Sequence, residues 1–187
     1  MKYIIPALLM AFCANAQSIA EDTTDNDTGT RTVITKNFAA KEIGPDDTIA
    51  RDGLVFFSAG IQQTKKANTT VEIYFVELNI VHSDSRLGCL TQGVSKIILE
   101  LEDGSKMECT QISDTDCDPL GFKSAFALMP KGGTSLQMKQ NFEKLKNVQI
   151  RKIDVITTER EVIYAVKSKS RQFIQGHFAL LEKTFAK

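Results

Sequence analysis

Three carboxylates alternate along Asp114-Thr115-Asp116-Cys117-Asp118, the spacing with which oxygen-ligand loops open around calcium. The continuation departs from that pattern, with Pro119 where the EF-hand type needs glycine and Ala125 where its bidentate glutamate belongs. Asp114, Asp116 and Asp118 are thus a candidate calcium site, weighed against a solvated acidic loop that explains the same residues without a metal. His82-Ser83-Asp84 holds the residue types of a hydrolase triad, but neighbours along a strand end point apart while a triad converges in space. The Gly-x-Ser-x-Gly turn that would present a serine is missing. A surface turn is the expected role of these three residues. His82 and His177 are the only histidines, so general acid or base work would fall on carboxylates, and no pair of them stands out.

The cysteines are Cys13, Cys89, Cys109 and Cys117. Cys13 falls within an N-terminal stretch that reads as a secretory leader: Lys2 supplies the charge, residues 3–12 the apolar run and Ala14-Asn15-Ala16 a small-x-small cleavage site. The apolar run is far short of the roughly 20 residues that span a bilayer. Phe12 before Cys13 is too bulky for a lipid-attachment site, so cleavage before Gln17 is expected. Three cysteines then remain in a compartment where disulfides persist, enough for one intramolecular bridge among Cys89, Cys109 and Cys117 and one buried thiol. The spacing leaves all three pairings open. No Cys-x-x-Cys occurs, and the irregular spacing of His82 and the cysteines argues against zinc.

The elements that must carry these residues follow from periodicity. Residues 17–31, acidic and nearly without aliphatic side chains, read as a flexible tail, leaving 32–187 as a single β-rich domain. Short strands are expected at 32–35 and 53–59. The strongest strand signal is 69–82, apolar on both faces and therefore central. Residues 94–101 and 106–112 flank Glu102-Asp103-Gly104. A two-residue loop there would set Glu100 against Met107, whereas a three-residue loop with left-handed Gly104 sets Leu99 against Met107 and Ile97 against Cys109. The second register is the expected one. A strand at 121–129 ends at Pro130. A helix capped by Thr134 buries Met138, Phe142 and Leu145, a hairpin follows at 148–157 and 161–167, and a last helix capped by Ser168 or Ser170 carries Ile174, Phe178, Leu181 and Phe185 on one stripe, interrupted by Gly176. The architecture expected is mainly β, an antiparallel β-sandwich with two peripheral helices. The alternative is an α+β sheet with both helices on one face.

Lys plus Arg equals Asp plus Glu at 23 each, so no whole-molecule field draws polyanions, and nucleic acid is excluded as an expected partner. The last helix pairs its apolar stripe with Lys169, Arg171, Lys183 and Lys187. Contact with an anionic membrane surface is the alternative to packing on its own domain. Packing is preferred, because a terminal helix with one apolar face ordinarily docks on the sheet beside it.

The leader ending in Ala14-Asn15-Ala16, with Leu145-Lys146 and Ile150-Arg151-Lys152-Ile153 inside residues 145–166, resembles small exported β-sandwich proteins of unknown function from Bacteroidota. The turn Thr158-Glu159-Arg160 departs from the Asp-Gly of that group. The resemblance implies export and carries no catalytic residue. It also makes Asp22-Thr23-Thr24 and Asp47-Thr48-Ile49 similar to that group's O-glycosylation acceptors. The expected function is a non-enzymatic binding or structural protein, secreted or periplasmic, that meets a protein or peptide in the cell envelope and needs no cofactor. The alternative is a secreted hydrolase using carboxylates or a metal at the 114–118 loop.

Overall fold

A computed structural model describes residues 17–36, 43–45, 54–66, 68–82 and 84–186. The leader with Cys13, and Asp47-Thr48-Ile49, lie outside the described residues. In chain order the elements are β1 (Ile19–Asp25), β2 (Thr30–Thr35), β3 (Ile43–Pro45), β4 (Leu54–Lys66), β5 (Thr69–Val81), β6 (Lys96–Leu101), β7 (Lys106–Gln111), β8 (Gly121–Ala127), α1 (Ser135–Asn147), β9 (Ile150–Ile156), β10 (Glu161–Val166) and α2 (Ser168–Phe185). The fold is mainly antiparallel β with two helices, as expected. Its strands hydrogen-bond into one sheet, in the order β1-β2-β4-β5-β8-β7-β6-β9-β10-β3, where a sandwich would divide them into two. That sheet curls, since α2 touches β2 and β4 towards one margin and β9 towards the other.

Alternation along each strand sends one set of side chains to the concave face. Phe57 and Ile61 of β4, Val76 and Leu78 of β5, Phe126 of β8, Leu99 of β6, Ile153 of β9 and Tyr164 of β10 meet there in a single core cluster. Met138, Phe142 and Leu145 of α1 and Ile174, Phe178 and Leu181 of α2 cover the same cluster, with Phe142 against Phe178 at 5.9 Å between ring centroids. The apolar stripe of α2 therefore packs on the sheet, and both helices sit on one face.

The β6–β7 hairpin has the expected register, with Leu99 opposite Met107, Ile97 opposite Cys109 and Glu100 opposite Lys106. Gly104 takes the left-handed conformation, φ 81°, that its place in the three-residue loop requires. Thr134 caps α1, accepting the Gln137 N–H at 3.2 Å. At α2 the expected serine cap is replaced by Lys167, which makes no side-chain cap hydrogen bond. Ser170, a candidate cap, instead lies buried in the first turn.

The expected flexible tail at 17–31 is overturned. Residues 19–25 form β1, paired with β2 from Asp25–Thr30 to Ile19–Thr35 with a register shift between Ile19 and Glu21. Hydrophobic content misjudges this segment because a main-chain ladder holds it. Asp25 accepts the Asp27 and Thr28 N–H groups to shape the turn, and Arg31 closes a bidentate pair on Asp22, 2.9 Å at both contacts. Asp22-Thr23-Thr24 accordingly lies on an exposed edge strand. Gln17 donates from Nε2 to the Phe173 carbonyl at 2.6 Å, and its amide lies so close to Gly176 that a Cβ there would meet it at 2.4 Å. That close approach explains a glycine inside a helix.

His177 fixes α2 to the sheet. Its Nδ1 lies 2.8 Å from Thr35 Oγ1, which also accepts the Ala59 N–H and bonds the Ala59 carbonyl. Phe57 and Phe173 enclose the ring edge-on. Burial pushes its pKa down to about 4, so the imidazole is neutral at pH 7.

Candidate functional site

β5 runs 13 residues, and its two ends meet different surroundings. At the C-terminal end three loops converge. The turn Ser85–Leu87, capped by Asp84, leads to Cys89, which is disulfide-bonded to Cys117 in the acidic loop. Cys89 also exchanges main-chain and side-chain hydrogen bonds with Thr158, in the β9–β10 turn. The bridge selects one of the three pairings left open by the sequence. Cys109, facing the core from β7, is the buried free thiol, and burial pushes its pKa up so that it stays protonated.

The carboxylates of this end serve the backbone. Asp116 accepts the Asp118 N–H at 3.0 Å and the Lys123 N–H at 2.8 Å, and Asp118 accepts the Leu120 N–H at 2.8 Å. Asp84 takes a two-pronged pair from Arg86, whose hydrogen bonds hold its pKa down to about 2. Gln111 ties the loop from below, donating to the carbonyls of Leu90 and Asp114. Among the described residues no group of three His, Cys, Asp or Glu side chains is gathered as metal ligands would be. Asp114, Asp116 and Asp118 thus share a loop without converging on a centre.

His82 is 5% exposed at the end of β5 and lies against the Phe122 ring at 4.7 Å. Neither of its ring nitrogens makes a hydrogen bond. Burial lowers its pKa, opposed by the charges of Asp84, Asp118 and Asp116. Asp84 lies close enough to act electrostatically on His82, and Ser83 is outside the described residues.

The N-terminal end of β5 is built by an inequality of strand length. On one side β4 pairs with β5 along its whole length, from Leu54–Val81 to Lys66–Thr69. On the other side β8, only seven residues long, stops at the Phe75–Ala127 pair. The chain leaves the sheet there because Pro130 cannot donate to a ladder and Gly132, at φ 78°, turns it towards α1. Asn141 of α1 seals the exit by donating to the Leu128 carbonyl at 2.7 Å.

In an antiparallel ladder the N–H and C=O of one residue point to the same neighbour, and successive residues alternate. The Tyr74 carbonyl accepts the Leu128 N–H at 2.9 Å, so Tyr74 faces the β8 side, where its own N–H meets Met138 Sδ at 3.4 Å. Glu72 and Thr70 face the same way, beyond the end of β8. Among the described residues nothing pairs with their main chain on that side.

This open edge lines a cleft of about 220 Å³ between β5 and the first turns of α1. Val71 and Leu136, 45% and 67% exposed, stand at its mouth, and Lys139 on its wall. Glu72 accepts the Tyr74 O–H at 2.6 Å and Gln63 Nε2 at 3.0 Å, and these bonds hold its carboxyl below the usual range. Chemically the cleft offers unpaired amides and carbonyls, two aliphatic side chains, the Thr70 and Ser135 hydroxyls, the Glu72 carboxylate and the Lys139 cation.

No known protein family, curated protein or solved structure matches this chain. Residue-type reasoning passed over Thr70, Glu72, Leu136 and Lys139. The available signal was length: the 69–82 strand is longer than the 121–129 strand that Pro130 ends, and must outrun it.

Proposed function

We propose that this chain is an exported, non-enzymatic binding protein of the cell envelope or extracellular space, and that the β5–α1 cleft holds its protein or peptide partner. The observation that carries the reading is the open edge of β5 at Thr70 and Glu72, set beside exposed Val71 and Leu136. A row of unpaired main-chain groups next to aliphatic side chains is a template for another chain, and proteins ordinarily cover or charge such an edge. Export is supported by the leader and, weakly, by the Cys89–Cys117 disulfide, which suits an oxidising compartment. Kinship with small exported β proteins of Bacteroidota belongs to the same reading. The hydrolase alternative draws no support from carboxylates already committed to backbone amides.

A photo-crosslinking residue in place of Leu136, compared with one in place of Leu120 at the loop end, tests the assignment in the native envelope. One partner joined through position 136 and not through 120 is the expected result. Equal labelling from both, or labelling from 120 alone, would move the site or dismiss it. Sequencing the N-terminus of the purified protein should begin at Gln17.

A further inference from the structure

Resting on that reading, we infer that the partner enters as an extended segment that adds a strand to β5, with aliphatic and acidic side chains in alternation. Strand addition follows from the geometry of the edge. The N–H and C=O of Thr70 and of Glu72 continue the hydrogen-bonding line that β8 leaves at Tyr74. A strand laid there takes up four main-chain groups and occupies the place β8 would have filled.

Alternation follows from the two faces of that strand. One face meets Val71, which shares the convex side with Ile73, and suits aliphatic side chains. The other meets α1, where Lys139 stands on the wall, with Lys65 of β4, opposite Thr70, on the far side of β5. Glu72 is the carboxylate on this face; Lys139 offsets its charge and Glu143 of α1 pairs with Lys146, which leaves Lys65 as the cation in excess among the described residues. The surplus at this end is therefore cationic and favours acidic side chains on the incoming segment.

Binding of a synthetic peptide alternating valine and glutamate to the mature protein, followed by titration calorimetry, tests this. Thr70→Pro removes one edge donor but leaves the β4 ladder intact, a position at which a sheet tolerates proline. It should weaken the valine–glutamate peptide about tenfold with unchanged circular dichroism. N-methylation of the peptide at alternate residues should do the same. A valine–lysine peptide should bind more weakly to wild type, and Lys139→Glu should reverse the preference by about threefold each way. Should Thr70→Pro and the N-methylated peptide both bind like the originals, strand addition is overturned. A crosslinked partner at position 136 that Thr70→Pro leaves untouched overturns it too, while leaving the binding assignment standing. Self-association of the protein through the cleft, without peptide binding, would equally count against it.

Discussion

The two ends of β5, about 40 Å apart at strand rise, differ in where their polar groups go. At the His82 end Asp116 and Asp118 hold backbone amides, Gln111 holds carbonyls, and a disulfide joins the loops. At the Thr70 end the chain leaves main-chain groups unspent beside exposed aliphatic side chains. Residues that look most like chemistry are here engaged in holding a loop, and the open edge of β5 is made of residues with no chemical signature. An open edge is a property of strand length and exit, which no motif encodes.

The contrast can be sharpened by perturbing each end in turn. The largest effect is expected at the disulfide. Cys89 and Cys117 close a loop with a sequence separation of 28, so Cys89→Ser with Cys117→Ser should cost about 3–4 kcal/mol by chain entropy. Chemical denaturation of the double variant measures this, and peptide binding at the cleft should survive under native conditions. Equal damage to both ends would erase the distinction.

Acid should come next. His177 has a folded pKa of about 4 against 6.5 for the free group; the unfolded chain binds more protons between these values, so stability falls as pH drops from about 6.5 towards 4, by at most about 3 kcal/mol. His82, also lowered by burial, works in the same direction. Asp154, whose carboxyl is raised by burial and by Glu161, works against them: its folded form gains protons first, so acid relieves a strain there. Glu72 at the cleft is held below its ordinary pKa, and its contribution is lost only as pH falls through that lower value. Melting temperature against pH should therefore decline below about 6.5 in wild type and flatten in His177→Gln.

Smaller effects separate holding from binding. Asp116→Ala strands the Asp118 and Lys123 amides and should cost about 1–2 kcal/mol in urea denaturation. Leu136→Ala removes an exposed side chain and should change stability by less than about 0.5 kcal/mol while weakening peptide binding. A destabilised Leu136→Ala would show that the residue belongs to the core.

Most of the fold was legible because its signals are local. The β6–β7 register followed from parity around Gly104, and α1 followed from Thr134 and the spacing of Met138, Phe142 and Leu145. β1 was misread because its order comes from a main-chain ladder and an Asp22–Arg31 pair, neither visible in hydrophobic content. The single curled sheet was also hidden, since β3 joins β10 across more than a hundred residues of sequence. The candidate site was the least legible part. The acidic run advertised itself, yet Thr70 and Glu72 matter for where their backbone points after β8 has ended.

Native-state hydrogen exchange at individual amides of β5 reads that backbone directly. Val71 and Ile73 face β4 and should exchange slowly, while Thr70 and Glu72 should exchange fast in the free protein and slow down when the valine–glutamate peptide is bound. Protection of Thr70 and Glu72 in the free protein, or fast exchange that the bound peptide leaves unchanged, would contradict an open edge that receives a strand.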